Sequence, residues 1–207
     1  MSAEVVVVNG VEVRKGFLDL PAQEAMRDAL RGIARDAPFR QYVTPGGARM
    51  SARMTGAGER AWLSDRSGYR YDAQQPDGRD WPSIPDCVLD VWWAVSGVER
   101  LPDSCLVNFY GEGAKMGTHQ DRDEADLTWP VVSISLGDAA LFRVGGTVRR
   151  AKTECVWLES GDVVVLAGEA RLAYHGIDRI RFGSSALLSQ GGRINVTLRV
   201  AGSNSSP

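Results

Sequence analysis

The sequence predicts a mostly β, α+β fold in which helices pack outside a jelly roll. Three observations carry that reading. From residue 104 to residue 201, short apolar segments recur with Gly, Asp and Pro between them, the pattern of a double-sheet β architecture. Two longer segments before it carry apolar residues at helical spacing. No repeat, low-complexity tract or linker divides the 207 residues, so a single domain over 1–207 is expected.

Taken in order, Val5–Val8 and Val11–Phe17 read as strands joined at Asn9-Gly10, a dipeptide suited to a tight hairpin turn. Pro21–Ala37 reads as a helix, with Met26, Leu30, Ile33 and Ala37 along one face. Arg49–Thr55 reads as a strand, followed by a glycine-containing turn and Trp62. Pro85–Val98 reads as a second helix, opening at a proline and burying Val88, Val91, Trp92 and Val95. The expected strands of the jelly roll are Cys105–Tyr110, Met116–Asp121, Val131–Leu136, Ala139–Val144, Cys155–Glu159, Asp162–Ala167, Leu172–His175 and Arg193–Val200. Gly202–Pro207 reads as a frayed tail.

Val5–Val8 is too short for the apolar run of a signal peptide, and no later segment could span a membrane. A cytoplasmic protein without membrane contact is expected, monomeric and with no obligate protein partner. Cys87, Cys105 and Cys155 sit among apolar neighbours without metal spacing, so buried free thiols in a reducing compartment are expected. The net charge of −2 hides a polarised chain: basic residues outnumber acidic ones from Arg27 to Arg70 and from Ala140 to Arg199, and acidic ones dominate between. Such flanks suit an anionic polymer, although ordinary solvated faces explain them as well.

His119 and Asp121 are two apart, so on one strand they share a face. With His175 they supply two imidazoles and a carboxylate, the facial triad of non-heme Fe(II) oxygenases; the same donors also suit zinc or manganese. In Arg193–Val200 the alternation is clean: Ile194, Val196, Leu198 and Val200 form an apolar face, while Arg193, Asn195, Thr197 and Arg199 form a polar one. In a surface strand that polar face would meet water. Inside a jelly roll, two guanidinium groups need an anion, and a dicarboxylate guest suits them. Asn108 and Tyr110, also two apart, can add hydrogen bonds. In the loop Gly145–Lys152, Arg149, Arg150 and Lys152 can reach phosphates, and an exposed hairpin explains them equally well; Arg171, Arg179 and Arg181 are as ambiguous.

Taken together, Asn108-x-Tyr110-x-x-Gly113-x-x-Met116-x-x-His119-x-Asp121-x-Asp123, then Tyr174-His175-Gly176, then Arg193-x-Asn195-x-Thr197-x-Arg199 resemble the AlkB family, above all its bacterial DNA-repair members. The resemblance runs from about residue 42 to residue 202. It implies a double-stranded β-helix (jelly roll), with a nucleotide-recognition lid and helix over about 40–103 and a catalytic core over 104–201. It implies Fe(II) on His119, Asp121 and His175, 2-oxoglutarate on Asn108, Tyr110, Arg193, Asn195 and Arg199, and dioxygen as the oxidant. Trp62 would stack on an extruded base, Tyr69 would lie near its phosphate or sugar, and Asp123 would meet its exocyclic amine. Without the resemblance, Trp62 reads as a core tryptophan. Glu112 departs from the family, where proline is common before the glycine.

The activity implied is oxidative demethylation of 1-methyladenine- and 3-methylcytosine-type bases, in DNA ahead of RNA. It is direct reversal repair, releasing formaldehyde, succinate and CO2 and needing a flipped or single-stranded base. Two other functions stay open: a 2-oxoglutarate-dependent hydroxylase or demethylase acting on protein or a small molecule, and a non-catalytic jelly-roll module that binds nucleic acid.

Overall fold

The computed structural model describes residues 4–202. The chain opens with strands β1 (Glu4–Val8) and β2 (Val11–Lys15). Between them Asn9 and Gly10 take φ of 46° and 80°, the doubly left-handed turn that matches strand twist. Helix α1 (Leu20–Asp36) is capped by Asp19, whose Oδ1 accepts from the Ala22 N–H at 2.9 Å. Strands β3 (Arg53–Gly58), β4 (Ala61–Asp65) and β5 (Gly68–Asp72) and helix α2 (Asp86–Val95) follow. The remaining strands are β6 (Ser104–Tyr110), β7 (Met116–His119), β8 (Val131–Gly137), β9 (Ala139–Val144), β10 (Glu154–Leu158), β11 (Val163–Leu166), β12 (His175–Arg181) and β13 (Arg193–Arg199).

They form two facing sheets. The major sheet runs β1-β2-β11-β8-β13-β6-β3, the minor one β10-β9-β12-β7, and β4-β5 make a separate hairpin. Antiparallel pairing throughout gives the jelly roll that the sequence predicts. Strands β1, β2 and β3, which precede residue 104, complete its major sheet.

Alternation along the major sheet divides its apolar residues between two cores. Val132, Ile134, Val163, Val165, Val196 and Leu198 pack outward against Met26, Leu30 and Ile33 of α1 and Val88, Val91, Trp92 and Val95 of α2. Tyr110, Val131, Val164 and Leu166 point inward, against Phe142, Val144 and Ile177 of the minor sheet. Both faces of the sheet are covered, which is why β11 is apolar throughout.

Several boundaries differ from expectation. Strand β3 starts four residues after the expected Arg49 and runs on through Gly56-Ala57-Gly58. These positions must be small: a Cβ on Gly56 would lie 2.5 Å from Ala61 Cβ, and one on Gly58 2.4 Å from the Asp103 carbonyl. Strand β7 ends at His119, so Asp121 follows the strand instead of lying on it. The strand expected over Leu172–His175 starts only at its last residue: residues 172–174 are not strand, and His175 opens β12. Cys105 is buried and Cys87 half-buried, but Cys155 is exposed on the minor sheet, which corrects the expectation of three buried thiols. Gly202, the first residue of the expected tail, is buried and donates its N–H to Asp103 Oδ2 at 2.8 Å; 203–207 lie outside the described residues. Among the described residues no helix is long and apolar enough to cross a membrane.

Trp92 is fully buried where α2 meets the sheet, and its Nε1 donates to the Arg100 carbonyl at 2.9 Å. Trp92→Ala is expected to destabilise the fold by about 3–5 kcal/mol, read as a fall in the denaturation midpoint at unchanged slope. A change under about 1 kcal/mol would show that α2 does not brace the sheet.

Candidate active site

Strand β12 lies between β9 and β7, both antiparallel to it, and His175 pairs directly with His119 of β7. Their rings come to 4.5 Å between centroids. Close approach of the two strands depends on Gly176, where a Cβ would fall 2.6 Å from the Met116 carbonyl oxygen. Asp121, two residues past the paired His119, turns its carboxylate toward both rings: Oδ1 is 3.6 Å from His119 Nε2 and Oδ2 is 3.8 Å from His175 Nε2. One ligand atom from each residue lies within 4.8 Å of the others. The opposite ring nitrogens are engaged, His119 Nδ1 with the Gly117 carbonyl at 3.1 Å and His175 Nδ1 with the Ala173 carbonyl at 3.0 Å. That arrangement puts the proton on Nδ1 and leaves each Nε2 lone pair facing the centre, as a metal requires.

At His175 and Asp121 the charges favour the same state. Burial pushes the His175 imidazole down to about 4, so it is neutral at neutral pH. Burial also acts against the Asp121 carboxylate, but Arg199 and the two imidazoles outweigh it and hold the carboxyl well below its usual range. For His119 burial works against the charged form, and its contacts with Asp121 raise it nonetheless. An anionic oxygen and two imidazole nitrogens on one side of a centre fit Fe(II) with positions left over.

Strand β13 lies between β6 and β8, so its polar row continues across three strands: Arg193 pairs with Tyr110, and Asn195 with both Asn108 and Ser135. Asn195 Nδ2 donates to Ser133 Oγ at 2.6 Å, and Thr197 Oγ1 donates to Asn195 Oδ1 at 3.0 Å. The two arginines differ. Arg199 is already engaged, with Nη2 2.8 Å from Asp121 Oδ2; burial opposes its charge, yet the nearby carboxylates raise its pKa. Arg193 is 1% exposed, and only its Nη2 has a partner, Ser135 Oγ at 2.9 Å; its Nε and Nη1 have none. Burial lowers it only to about 10, so it stays cationic. A buried cation with two free N–H groups fits a carboxylate. Burial raises the Tyr110 hydroxyl to about 12, keeping it protonated as a donor.

The β4-β5 hairpin lines one side of the site with Trp62, Tyr69 and Tyr71. Trp62 on β4 and Tyr69 on β5 stack with centroids 5.4 Å apart and planes at 20°. Trp62 Nε1 donates to Asp123 Oδ2 at 2.8 Å, which ties the indole to the acidic segment beyond β7 while its partly buried ring packs against the inner core. One cavity of about 730 Å³ is lined by His119, Asp121 and His175, by Asn108, Tyr110, Arg193, Asn195 and Arg199, and by Trp62, Tyr69, Asp123 and Arg149. The candidates for metal, co-substrate and base therefore reach the same space with Arg149, whereas Arg150, Lys152, Arg171, Arg179 and Arg181 do not line it.

Two further residues, Glu124 and Tyr71, go unmarked in the sequence, and Arg171 reads there only as an ambiguous cation. Glu124 is 7% exposed and Arg171 3%, and their charged ends lie 3.1 Å apart. Tyr71 donates to Glu124 Oε1 at 2.7 Å. Arg171 therefore anchors the interior and is not a phosphate-facing cation. Arg179 and Arg181 are far from the triad along β12, lying over the Trp157 ring at 5.3 and 4.1 Å.

Fold and site define a dioxygenase that uses Fe(II), 2-oxoglutarate and O2. The family profile described as the 2OG-Fe(II) oxygenase superfamily matches residues 10–199. An "Alpha-ketoglutarate-dependent dioxygenase AlkB homolog" of Caulobacter vibrioides is 53% identical over 94% of this chain and 89% of that protein. The "Alpha-ketoglutarate-dependent dioxygenase AlkB" of Escherichia coli is 40% identical over 93% and 91%. The solved structure described as "The structure of OsALKBH1" superposes with a TM-score of 0.76 at 33% identity, covering 94% of this chain and 99% of that one. This chain belongs to the AlkB family of 2OG-Fe(II) oxygenases.

Gly176→Ala is expected to push β7 off β12 and carry His119 away from His175. Affinity for Co(II), followed by its visible spectrum, should fall roughly 10–100-fold while the protein stays folded. Wild-type affinity would show that close packing of β7 on β12 does not set the triad.

Proposed function

We propose that this enzyme repairs nucleic acid by oxidative demethylation of N-alkylated bases of the 1-methyladenine and 3-methylcytosine type, acting on DNA ahead of RNA. The observation that carries the reading is the stacked pair Trp62 and Tyr69, held by Asp123 over a cavity that also contains His119, Asp121 and His175. A planar guest entering there meets an aromatic face and a carboxylate before it reaches the imidazoles. A flipped or single-stranded base has that shape, and a methylated base carries the positive charge that a carboxylate prefers.

His119, Asp121 and His175 would hold iron. Arg193 would grip the distal carboxylate of 2-oxoglutarate with its guanidinium, whose Nε and Nη1 have no partner, with Asn108, Tyr110, Asn195 and Arg199 lining the same pocket. Iron and 2-oxoglutarate held there would, with dioxygen, supply the oxidising power for removing an N-linked methyl as formaldehyde, with succinate and CO2 as the other products. The protein supplies no nucleophile. Trp62 orients the base by stacking, Asp123 meets its exocyclic amine, Tyr69 lies at its sugar or phosphate, and Arg149 at the rim meets the phosphodiester backbone. The lid belongs to a recognition segment over about 40–103, and 104–201 forms the catalytic core.

Trp62→Ala is expected to raise KM for a methylated single-stranded oligonucleotide about tenfold, the loss of one base-stacking contact, with little change in kcat. The assay is mass spectrometry of oligonucleotides bearing 1-methyladenine or 3-methylcytosine, scored for loss of one methylene unit. If wild-type enzyme turns over 2-oxoglutarate and leaves both bases intact, the substrate is a protein or a small molecule instead.

A further inference from the structure

We infer that Glu124 is a positioning residue that ties the lid to the co-substrate end of the active site through Tyr71 and Arg199. The inference rests on the reading of the cavity given above and adds a residue to which that reading assigns no role.

Glu124 lies three residues past Asp121 and is almost wholly buried. Its Oε1 accepts the Tyr71 hydroxyl at 2.7 Å and sits 3.1 Å from Arg199 Nε; its Oε2 sits 3.1 Å from Arg171 Nη2. A single carboxylate is thus touched by the lid strand β5, by β13, and by the segment that leads into His175. Arg171 is fixed from behind: its Nε donates to the Trp129 carbonyl at 2.6 Å and its Nη1 to the Asp121 carbonyl at 2.7 Å. The Asp121 backbone is therefore held by the guanidinium that also holds Glu124.

Two carboxylates, Asp121 and Glu124, face two guanidiniums, Arg171 and Arg199, so the buried group is neutral as a whole. Removing one charge leaves another uncompensated. Within the group, Arg199 has the most freedom. Its Nη2 is bonded to Asp121, but its Nε is not aimed at Glu124, and the 3.1 Å contact is ionic without being an aligned hydrogen bond. Arg199 lines the cavity, so an anion bound there acts on a side chain that Glu124 also steers.

Tyr71 completes the link. With the lid down, its ring keeps water from Glu124, and ion pairs are stronger where water is excluded. Lifting the lid breaks the hydroxyl contact, wets Glu124 and loosens its hold on Arg199. Reciprocity follows: whatever fixes Arg199 also favours the closed lid. Metal and 2-oxoglutarate in place should therefore close the hairpin before any nucleic acid arrives.

The test uses the full chain loaded with Mn(II), without oxygen turnover and without nucleic acid. Amide hydrogen exchange of β4 and β5 is measured with and without 2-oxoglutarate, alongside 2-oxoglutarate affinity by calorimetry. In the wild type, 2-oxoglutarate is expected to slow lid exchange severalfold. Tyr71→Phe, which deletes only the hydroxyl, should abolish that response while leaving exchange in α1 and β8 unchanged. Glu124→Gln, which keeps the size and removes the charge, should weaken 2-oxoglutarate binding roughly tenfold. A lid response of equal size in wild type and Tyr71→Phe, or no response in a wild type that binds 2-oxoglutarate, overturns the inference alone. A wild type that does not bind 2-oxoglutarate overturns the reading of the cavity and this inference with it.

Discussion

The central constraint is a row of polar side chains on a strand enclosed within the fold, facing a cavity. Strand β13 lies inside a seven-stranded sheet, with helices over one face and the minor sheet over the other. Its apolar side chains satisfy the helical face. The opposite face places Arg193 and Arg199 in an interior where a lone cation costs several kcal/mol. Arg199 is compensated by Asp121 at 2.8 Å. Arg193 keeps two N–H groups without partners, and the cavity in front of it is the place where an anion would satisfy them.

The rest of the site follows from how the minor sheet is joined to that interior. Antiparallel pairing of β7 with β12 sets His119 opposite His175, and the absence of a side chain at Gly176 lets the strands approach. Asp121 lies just past the end of β7, where it can face both imidazoles and Arg199 together. The two acids that follow reach the lid by different routes: Asp123 accepts from the Trp62 indole and Glu124 from the Tyr71 hydroxyl. One short segment thus carries a carboxylate of the triad and two acids that hold the β4-β5 hairpin.

Much of this is legible in the sequence where side-chain alternation is intact. The faces of β13 can be read directly, because apolar and polar residues alternate along its whole length and the buried side is truly buried. The helices are equally plain, since Met26, Leu30 and Ile33, and Val88, Trp92 and Val95, repeat at helical spacing. Strand β12 is harder to read. A register shift between Ile177 and Arg179 breaks its period, and its outward face carries Asp178, which pairs with Arg143 at 3.0 Å, and arginines that cover Trp157. Strand β3 slips because Gly56 and Gly58 carry no β propensity; they are present for close approach to Ala61 and Asp103. Arg171 and Glu124 are invisible for another reason: a buried ion pair has the same composition as a solvated one. The nearest signal is the acidic cluster Asp121, Asp123 and Glu124 beside the histidine, too dense for a surface turn to need.

The most direct measurement is calorimetric titration of 2-oxoglutarate into the Mn(II)-loaded protein, wild type against Arg193→Ala. The account predicts one equivalent bound by the wild type and a loss of roughly 100-fold or more in the variant, the consequence of removing one partner of a buried ion pair. Equal affinities in the two proteins would mean that the buried guanidinium does not hold the co-substrate, and the account built on β13 would be contradicted.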